Sequence, residues 1–295
     1  MKRVLKWVGY GLGAVFSLAI IAVLAIYARS EWLLRKHWEV PEQALALEGA
    51  AIAEADAGEG RRLALVLGCY NGCHGERADG QVFVDRPNLA RLIAPSLSHL
   101  AATRSDAGLV RSIRFGVKPD GTSVRAMPSQ ALYHMTDAQL ASVLAFLESQ
   151  PPSDPIEEQN EYRFFARLGI ALGQFPTPAA TTTAMPERLD PDDPDDPHAQ
   201  GRRLAVIACA ECHGDDLQGA EFGLTTPALG IVRGYDRDAF GTLMRTGEGI
   251  GGRDLGLMSR VARGRFSALT DDEVDALYTY LHETGGRDLV EPATQ

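Results

Sequence analysis

The sequence predicts an all-α protein in which two similar domains follow one N-terminal transmembrane helix. Three observations favour this architecture: an uncharged run near the N-terminus, a long internal repeat, and helical periodicity at the end of each repeat. The 295 residues suffice for two ordinary domains, and the hydrophobic share of 45% supports packed cores. A formal net charge of −10 disfavours nucleic-acid binding, because phosphate contacts need clustered Lys and Arg.

The N-terminus has the composition of a membrane anchor. Lys2, Arg3 and Lys6 precede an uncharged run over residues 7–28, and about 20 apolar residues span a bilayer as a helix. Because the basic residues come first, the positive-inside rule places the N-terminus in the cytoplasm and the body outside. A cleaved signal peptide is the alternative, since residues 25–28 offer small side chains at a suitable spacing. Its apolar region is usually only ~7–15 residues long, which favours an uncleaved anchor over residues 1–29.

The body divides into two globular segments. We expect a helical spacer over residues 30–57, a first domain over 58–150, a connector over 151–197, a second domain over 198–287 and a tail over 288–295. The connector closes with Asp-Pro-Asp-Asp-Pro-Asp-Asp-Pro. This run cannot form a helix or an interior strand, because Pro lacks the backbone N–H and like charges repel.

An apolar stretch over residues 161–175 interrupts the connector. We interpret it as a helix that packs the two domains together. The alternative is a contact surface for a partner subunit or for the membrane.

The two domains repeat each other in a constant order. The sequence Gly-Arg-Arg-Leu-Ala at residues 60–64 returns at 201–205, and Thr136-Asp137 returns as Thr270-Asp271, where the Thr can cap a helix. The spacing between the copies changes along the chain, which implies loop insertions, and the largest makes the first copy seven residues longer. The middle of each copy is rich in Gly and Pro without an alternating run long enough for a sheet, so we predict short helices and long loops.

All four cysteines lie in two clusters that suit covalent haem attachment. The second cluster, Cys209-Ala-Glu-Cys212-His213, has the spacing C-x-x-C-H, in which two thiols add to the haem vinyl groups and the adjacent His binds the iron. The first cluster, Cys69-Tyr-Asn-Gly-Cys73-His74, has one extra residue. It stands at the equivalent place in the repeat, which favours the same chemistry there.

Three other interpretations of the clusters compete with haem attachment. A disulfide within each pair suits an oxidising compartment, but it leaves the following His unexplained. A zinc site needs four ligands, and each cluster supplies three at most. A chance match is the third, and it is disfavoured because the pattern occurs twice.

Met127 and Met258 are the candidates for the second axial ligand of each iron. Of six Met residues, only these two align with each other, and both lie in Gly-rich loops before the last helix of their repeat. A Met taken singly is more often a core residue. His134 lies seven residues after Met127 and could compete with it. We interpret it as a core or surface residue, like the others without a counterpart in the repeat: His37, His99, His198 and His282.

With these residues assembled, both halves resemble the class I cytochrome c fold. The resemblance rests on the helix before each Cys pair, the Cys/His cluster, a Pro-x-Leu segment, an Arg-x-Gly turn, the Met loop and the Thr-Asp-capped last helix. The predicted fold class is therefore all-α, with two tandem cytochrome c-like haem domains behind one N-terminal transmembrane helix. There are two departures: the extra residue in the first cluster, and Ser259 after Met258 where the family often has Pro.

The resemblance implies two covalently bound haem c groups. It also implies that the carbonyl of Pro95 accepts the N–H of His74, and that the carbonyl of Pro227 accepts the N–H of His213. The tandem arrangement behind an anchor is similar to membrane-bound dihaem cytochromes c and to the cytochrome subunits of periplasmic dehydrogenases.

We therefore expect a single-pass protein of the bacterial inner membrane, anchored through residues 7–28, with its body in the periplasm. It would relay single electrons in a respiratory chain, from a quinol-oxidising complex or a periplasmic dehydrogenase to a terminal oxidase. The exported part carries a net charge of −13, which suits a basic partner surface.

There are two alternatives to a free carrier, an enzyme and a subunit of a complex. His/Met ligation at both irons leaves no open position for a substrate, which favours a carrier over an enzyme. A dihaem cytochrome c peroxidase or a thiosulfate-oxidising dihaem enzyme would need an open or unusual ligand position, so the enzyme hypothesis depends on whether Met127 is bound. A cytochrome subunit of a dehydrogenase complex would differ from a free carrier in having a permanent partner.

Overall fold

The computed structural model describes residues 2–47, 50–156, 159–183, 185, 187–221 and 225–287, and it is mostly helical, as predicted. The α-helices in chain order are α1 (Lys2–Leu34), α2 (Ala57–Val66), α3 (Leu97–Thr103), α4 (Asp106–Phe115), α5 (Ser129–Leu132), α6 (Asp137–Glu148), α7 (Phe164–Ala171), α8 (Pro178–Thr182), α9 (Ala199–His213), α10 (Arg237–Thr246), α11 (Leu257–Gly264) and α12 (Asp271–Thr284). The predicted tail over 288–295 lies outside the described residues.

The first helix is long and apolar enough to cross a membrane. α1 runs for 33 residues without a break, and its apolar segment is not buried in the rest of the protein. A signal sequence near the N-terminus would have the same length and composition. The helix therefore agrees with either a single-pass anchor or a signal sequence.

The described residues between Leu34 and Ala57 do not form the helical spacer that was expected over residues 30–57. α1 ends at Leu34, and the described residues beyond it contain two short 3-10 turns, Glu42–Leu45 and Ile52–Glu54. Ala, Leu and Glu favour a helix, but tertiary packing overrides this weak preference. Leu45 is buried in the core and Leu47 packs against it, contacts that this irregular path allows.

In each half, the first helix crosses the last helix at a glycine. α2 packs on α6, and a Cβ added to Gly60 would lie only 1.8 Å from the carbonyl oxygen of Ser142. α9 packs on α12, and a Cβ added to Gly201 would lie 2.2 Å from the carbonyl oxygen of Ala276. The glycine that opens each copy of the repeat is therefore required by the close approach of two helix backbones.

A small sheet in the first half departs from the all-helical expectation. The strands β1 (Gln81–Arg86), β2 (Ala90–Ala94) and β3 (Glu161–Tyr162) form an antiparallel sheet in the order β1-β2-β3. The β1–β2 hairpin lies where the first copy of the repeat is longer, and β3 comes from the connector. Val82, Phe83 and Val84 have high strand propensity, but the stretch is short and its third strand is distant in sequence. The second half has two short ladders: β4 (Ala220–Glu221) with β5 (Thr225–Thr226), and β6 (Glu248–Gly249) with β7 (Arg253–Asp254).

The two halves contact each other through equivalent arginines. Arg62 of α2 donates two hydrogen bonds, of 2.7 and 2.9 Å, to the carboxylate of Glu273 in the capping box of α12. Arg203 of α9 donates a 2.7 Å bond to the side chain of Gln139 in the capping box of α6. Glu273 and Gln139 each occupy the third position of their helix. Each half therefore contacts the other through an arginine of its first helix and the third residue of the other half's last helix. One apolar core runs through both halves.

We expect Arg62→Met to lower the free energy of unfolding by about 1.5–3 kcal/mol, since Glu273, with a side chain 14% exposed, would keep its charge without its bidentate partner. Urea unfolding of the full chain in detergent, followed by far-ultraviolet circular dichroism, measures the loss. Arg61→Met is the matched control, because Arg61 is the exposed neighbour on the same helix, and its effect should stay within about 0.5 kcal/mol. Equal losses in the two variants would contradict a stabilising role for the Arg62 contact.

Candidate functional site

The second cluster lies on the last turns of α9. Cys209 is buried and Cys212 is half-buried, and residues three apart share one face of a helix. Gly214, with φ of +84°, ends the helix directly after His213. The ring nitrogen Nδ1 of His213 lies 2.8 Å from the carbonyl oxygen of Pro227.

The first cluster lies on a loop, in contrast to the second. α2 ends at Val66, and left-handed residues Gly68 and Asn71 turn the chain before and within the cluster. The N–H of Cys73 donates to the carbonyl of Gly68, five residues earlier, over 3.2 Å, so the extra residue is taken up in a wider turn. After this turn the Nδ1 atom of His74 again lies 2.8 Å from a proline carbonyl, that of Pro95.

Both histidines have the form that a metal-binding imidazole needs. Burial lowers the pKa of His74 and His213 below the usual 6.5, so both rings are neutral at pH 7. A neutral ring whose Nδ1–H donates to a carbonyl has its lone pair on Nε2. Each ring therefore carries its lone pair on Nε2, the atom that a metal would bind.

The cysteines suit neutral thioether links better than a thiolate metal site. All four are free thiols, and burial raises the pKa of Cys69 and Cys209 to about 12 and that of Cys73 to about 11. Zinc ligation requires thiolates, which such burial disfavours. Within the described ranges, no group of three or more His, Cys, Asp or Glu side chains could hold a metal ion.

A cavity of about 660 Å³ brings the predicted residues of the first site together. Its lining includes Cys69, Cys73, His74, Pro95 and Met127, and its volume lies in the range of cofactor pockets. Most of the remaining wall is apolar, which suits the flat, largely apolar haem ring. Apolar lining residues include Leu97, Leu100, Leu109, Ile113 and Leu132. The residues of the first half therefore fit a haem.

Met258, the candidate ligand of the second half, lies at the start of α11, half-buried against the apolar core. The neighbouring Ser259 is fully buried, and its hydroxyl donates to the carbonyl of Gly247 and accepts the N–H of Leu255. These two bonds hold the Met loop at the position where the first half has Pro128. The departure from the family pattern thus replaces a proline by a hydrogen-bonded serine.

Arg265 is the functional candidate that sequence reasoning missed. Its Nε donates over 3.0 Å to the carbonyl of Val66, just before the first cluster, and its Nη1 lies 3.7 Å from Glu211, inside the second cluster. The positive charge of Arg265 opposes the rise in pKa of all four cysteines, so its guanidinium lies near both clusters. The pattern of the repeat contains no signal for it, because the spacing between the copies changes between Met258 and Thr270, and Arg265 lies within that stretch.

His134, the possible competitor of Met127, is buried in the packing between the first half and the connector. Its imidazole is 5% exposed, and its Nδ1 accepts the N–H of Leu189 over 3.0 Å. Burial and the nearby cations Arg203 and Arg188 lower its pKa to about 4. The ring is therefore neutral and serves as a hydrogen-bond acceptor in the interior.

The pKa of His134 makes stability depend on pH. In the unfolded chain His134 binds a proton as the pH falls below about 6.5, whereas in the folded chain it stays neutral down to about pH 4. The free energy of unfolding therefore decreases as the pH falls through this window. Between pH 7 and pH 5 we expect wild type to lose about 2 kcal/mol more stability than His134→Gln. Urea unfolding at both pH values measures the difference. The control is His37→Gln, at an exposed position, which should lose as much stability between the two pH values as wild type does. If His134→Gln also loses as much stability as wild type, the role assigned to His134 is contradicted.

Comparison with known proteins supports a haem site in the second half. Residues 198–285 match the family model of cytochrome c, and this range contains Cys209, Cys212, His213, Pro227 and Met258. No curated protein matches the chain. The prediction of a c-type cytochrome is confirmed for this segment. The C-terminal part of the chain therefore contains a cytochrome c domain, which implies covalently bound haem c and electron transfer.

Proposed function

We propose that this chain is a membrane-anchored dihaem c-type cytochrome that carries single electrons between redox proteins. The observation that carries the proposal is the repeated contact between a histidine and a proline carbonyl. The Nδ1–O distance is 2.8 Å in both halves, although one cluster lies on a helix and the other on a loop. This supports a second haem at the first cluster, next to a cavity of suitable size.

Each residue of the two sites has a defined task in this proposal. The thiols of Cys69, Cys73, Cys209 and Cys212 tether the porphyrin, which keeps the cofactor in place during repeated encounters with partners. His74 and His213 bind through Nε2, and the carbonyls of Pro95 and Pro227 hold their rings in orientation. Met127 and Met258 would supply the second ligand of each iron, and their neutral thioethers would raise the reduction potential. The haem iron, when bound, supplies reversible one-electron exchange.

The position of Met127 supports a carrier over an enzyme. Met127 lines the same cavity as His74, so the first half has residues for both axial positions. A peroxidase or a thiosulfate-oxidising enzyme would need one open or unusual position. The proposed task of the protein is therefore to accept and deliver electrons.

Charge and anchor support the proposed location and partners. The apolar run over residues 7–28 follows three basic residues, which favours a single pass through the bacterial inner membrane with the body in the periplasm. The net charge of −13 in the exported part suits basic docking surfaces on redox partners. We propose a quinol-oxidising complex or a periplasmic dehydrogenase as donor and a terminal oxidase as acceptor in a respiratory chain.

The number of haems tests the proposal directly. We expect the full chain, produced in a host that matures c-type cytochromes, to carry two covalent haems by intact mass and by its pyridine haemochrome spectrum. Cys69→Ala/Cys73→Ala should lose one haem, and the matched pair Cys209→Ala/Cys212→Ala should lose the other. The dihaem proposal would be contradicted if the wild-type chain carried one haem and Cys69→Ala/Cys73→Ala left that number unchanged.

Arg265 should tune both sites. A positive charge near both clusters stabilises the reduced iron, so Arg265→Met should lower both reduction potentials in a spectroelectrochemical titration. The control is Arg263→Met, which also removes one positive charge, but from a more exposed side chain two residues earlier. Both reduction potentials of this variant should stay closer to those of wild type. Shifts of equal size in the two variants would contradict a specific role for Arg265.

A further inference from the structure

We propose that α7 lies in the headgroup region of the bilayer and orients the body of the protein against the membrane surface. The partner of this surface is lipid. The proposal rests on the membrane anchor of the proposed function, and it concerns a segment that the haem sites do not use. We call the outward side chains Phe164, Phe165 and Leu172 the α7 outer face.

Hydrogen bonds and an ion pair fix α7 to α1 at the point where the apolar run ends. Arg29, the first charged residue after the run, donates a 2.7 Å bond to the carbonyl of Ala171 at the end of α7. Arg167 in the middle of α7 donates to the hydroxyl of Ser30 over 3.1 Å and to the carboxylate of Glu31 over 2.9 Å. If α1 spans the bilayer through residues 7–28, these contacts lie at the level of the lipid headgroups.

The packing also makes α7 a rigid extension of α1. Ser30 is fully buried beneath the contact, and the guanidinium of Arg167 lies 5.0 Å from the ring centre of Tyr27. A Cβ added to Gly169 would lie 2.2 Å from the ring of Phe175, so the chain after the helix folds back closely on it. The position of α7 relative to the anchor is therefore set by several independent contacts.

Only one side of α7 is covered by protein. Ala166, Gly169 and Ile170 are buried, whereas Phe165 is 56% exposed and Leu172 is 63% exposed. Phe165 and Leu172 are seven residues apart, which places them on one side of a helix. Phe164 adds a partly exposed ring beside them. The outer face is thus an apolar surface without a protein partner among the described residues.

Continuity with α1 identifies lipid as the partner. The apolar side chains of α1 are exposed along the run except at the half-buried Ile26, and the α7 outer face begins near the end of that surface. Trp32 on α1 is also exposed, and aromatic rings favour the membrane interface. Arg35 and Lys36, which follow directly after the end of α1, are exposed and can meet anionic headgroups. Aromatic, apolar and cationic side chains together are typical of a segment that lies in the interface plane.

Labelling from the lipid phase tests the proposal. The full chain is reconstituted in vesicles of phosphatidylcholine and phosphatidylglycerol that contain a phospholipid with a photoreactive diazirine on its acyl chain, and adducts are mapped by peptide mass spectrometry. We expect adducts on residues 164–172 as well as on α1. Ile231 and Ile250 are the internal control, since they are apolar and exposed in the second half, and their peptides should stay unlabelled.

Variants make the test quantitative. Phe165→Gln/Leu172→Gln should reduce the labelling of residues 164–172 about tenfold, the ratio that corresponds to 1.4 kcal/mol of lost apolar burial. The matched pair Ile231→Gln/Ile250→Gln should leave it unchanged. The haem absorption spectrum of each variant shows that the body is folded.

Three results would overturn the proposal. In the first, α1 is labelled but residues 164–172 are no more labelled than the Ile231 peptide. Lipid would then not be the partner of the α7 outer face, although the anchor would stand. Protein–protein cross-links from α7 to a second copy or another subunit would assign the outer face to a protein. Unlabelled α1 would overturn both the anchor and the lipid contact, while the haem count would still test electron carriage.

Discussion

The structure depends on two helix crossings that only glycine permits. Gly60 and Gly201 bring the first helix of each half so close to the last helix that an added Cβ would lie about 2 Å from a carbonyl oxygen. These crossings position α2 and α9, and the Cys/His clusters lie just after the end of α2 and on the last turns of α9. The capping boxes of α6 and α12 supply Gln139 and Glu273 to the contact between the halves. The same crossing geometry therefore positions the candidate sites and the interface.

The interface gives the two clusters a common electrostatic environment. The reciprocal pairs, Arg62 with Glu273 and Arg203 with Gln139, join equivalent positions of the two halves. Arg265 breaks this equivalence, because its side chain extends from the second half to the carbonyl of Val66 at the end of α2. Its charge acts on the cysteines of both clusters, so a change at this position reaches two sites. The two halves thus form one unit in which a single side chain lies near both clusters.

Much of the candidate site could be predicted because its chemistry is local in sequence. The spacing of Cys209, Cys212 and His213 is typical of covalent attachment to one flat ring, and the repeat pointed to the first cluster despite its extra residue. The seven-residue insertion was visible, but the hairpin formed there was not, because its third strand comes from the connector. The spacer over 30–57 was expected to be helical from its composition, yet contacts of residues such as Leu45 with the core decide its path.

The sequence by itself determined the apolar N-terminal helix, the order of the repeat and the residue types that suit covalent haem. These features depend on hydrophobicity, spacing and chemical identity along neighbouring residues. Only the tertiary structure decided that Arg265 lies near both clusters, that His134 is a neutral interior acceptor, and that α7 packs on the end of α1. Each of these contacts joins residues at least 50 positions apart, and no short-range pattern records such a pairing.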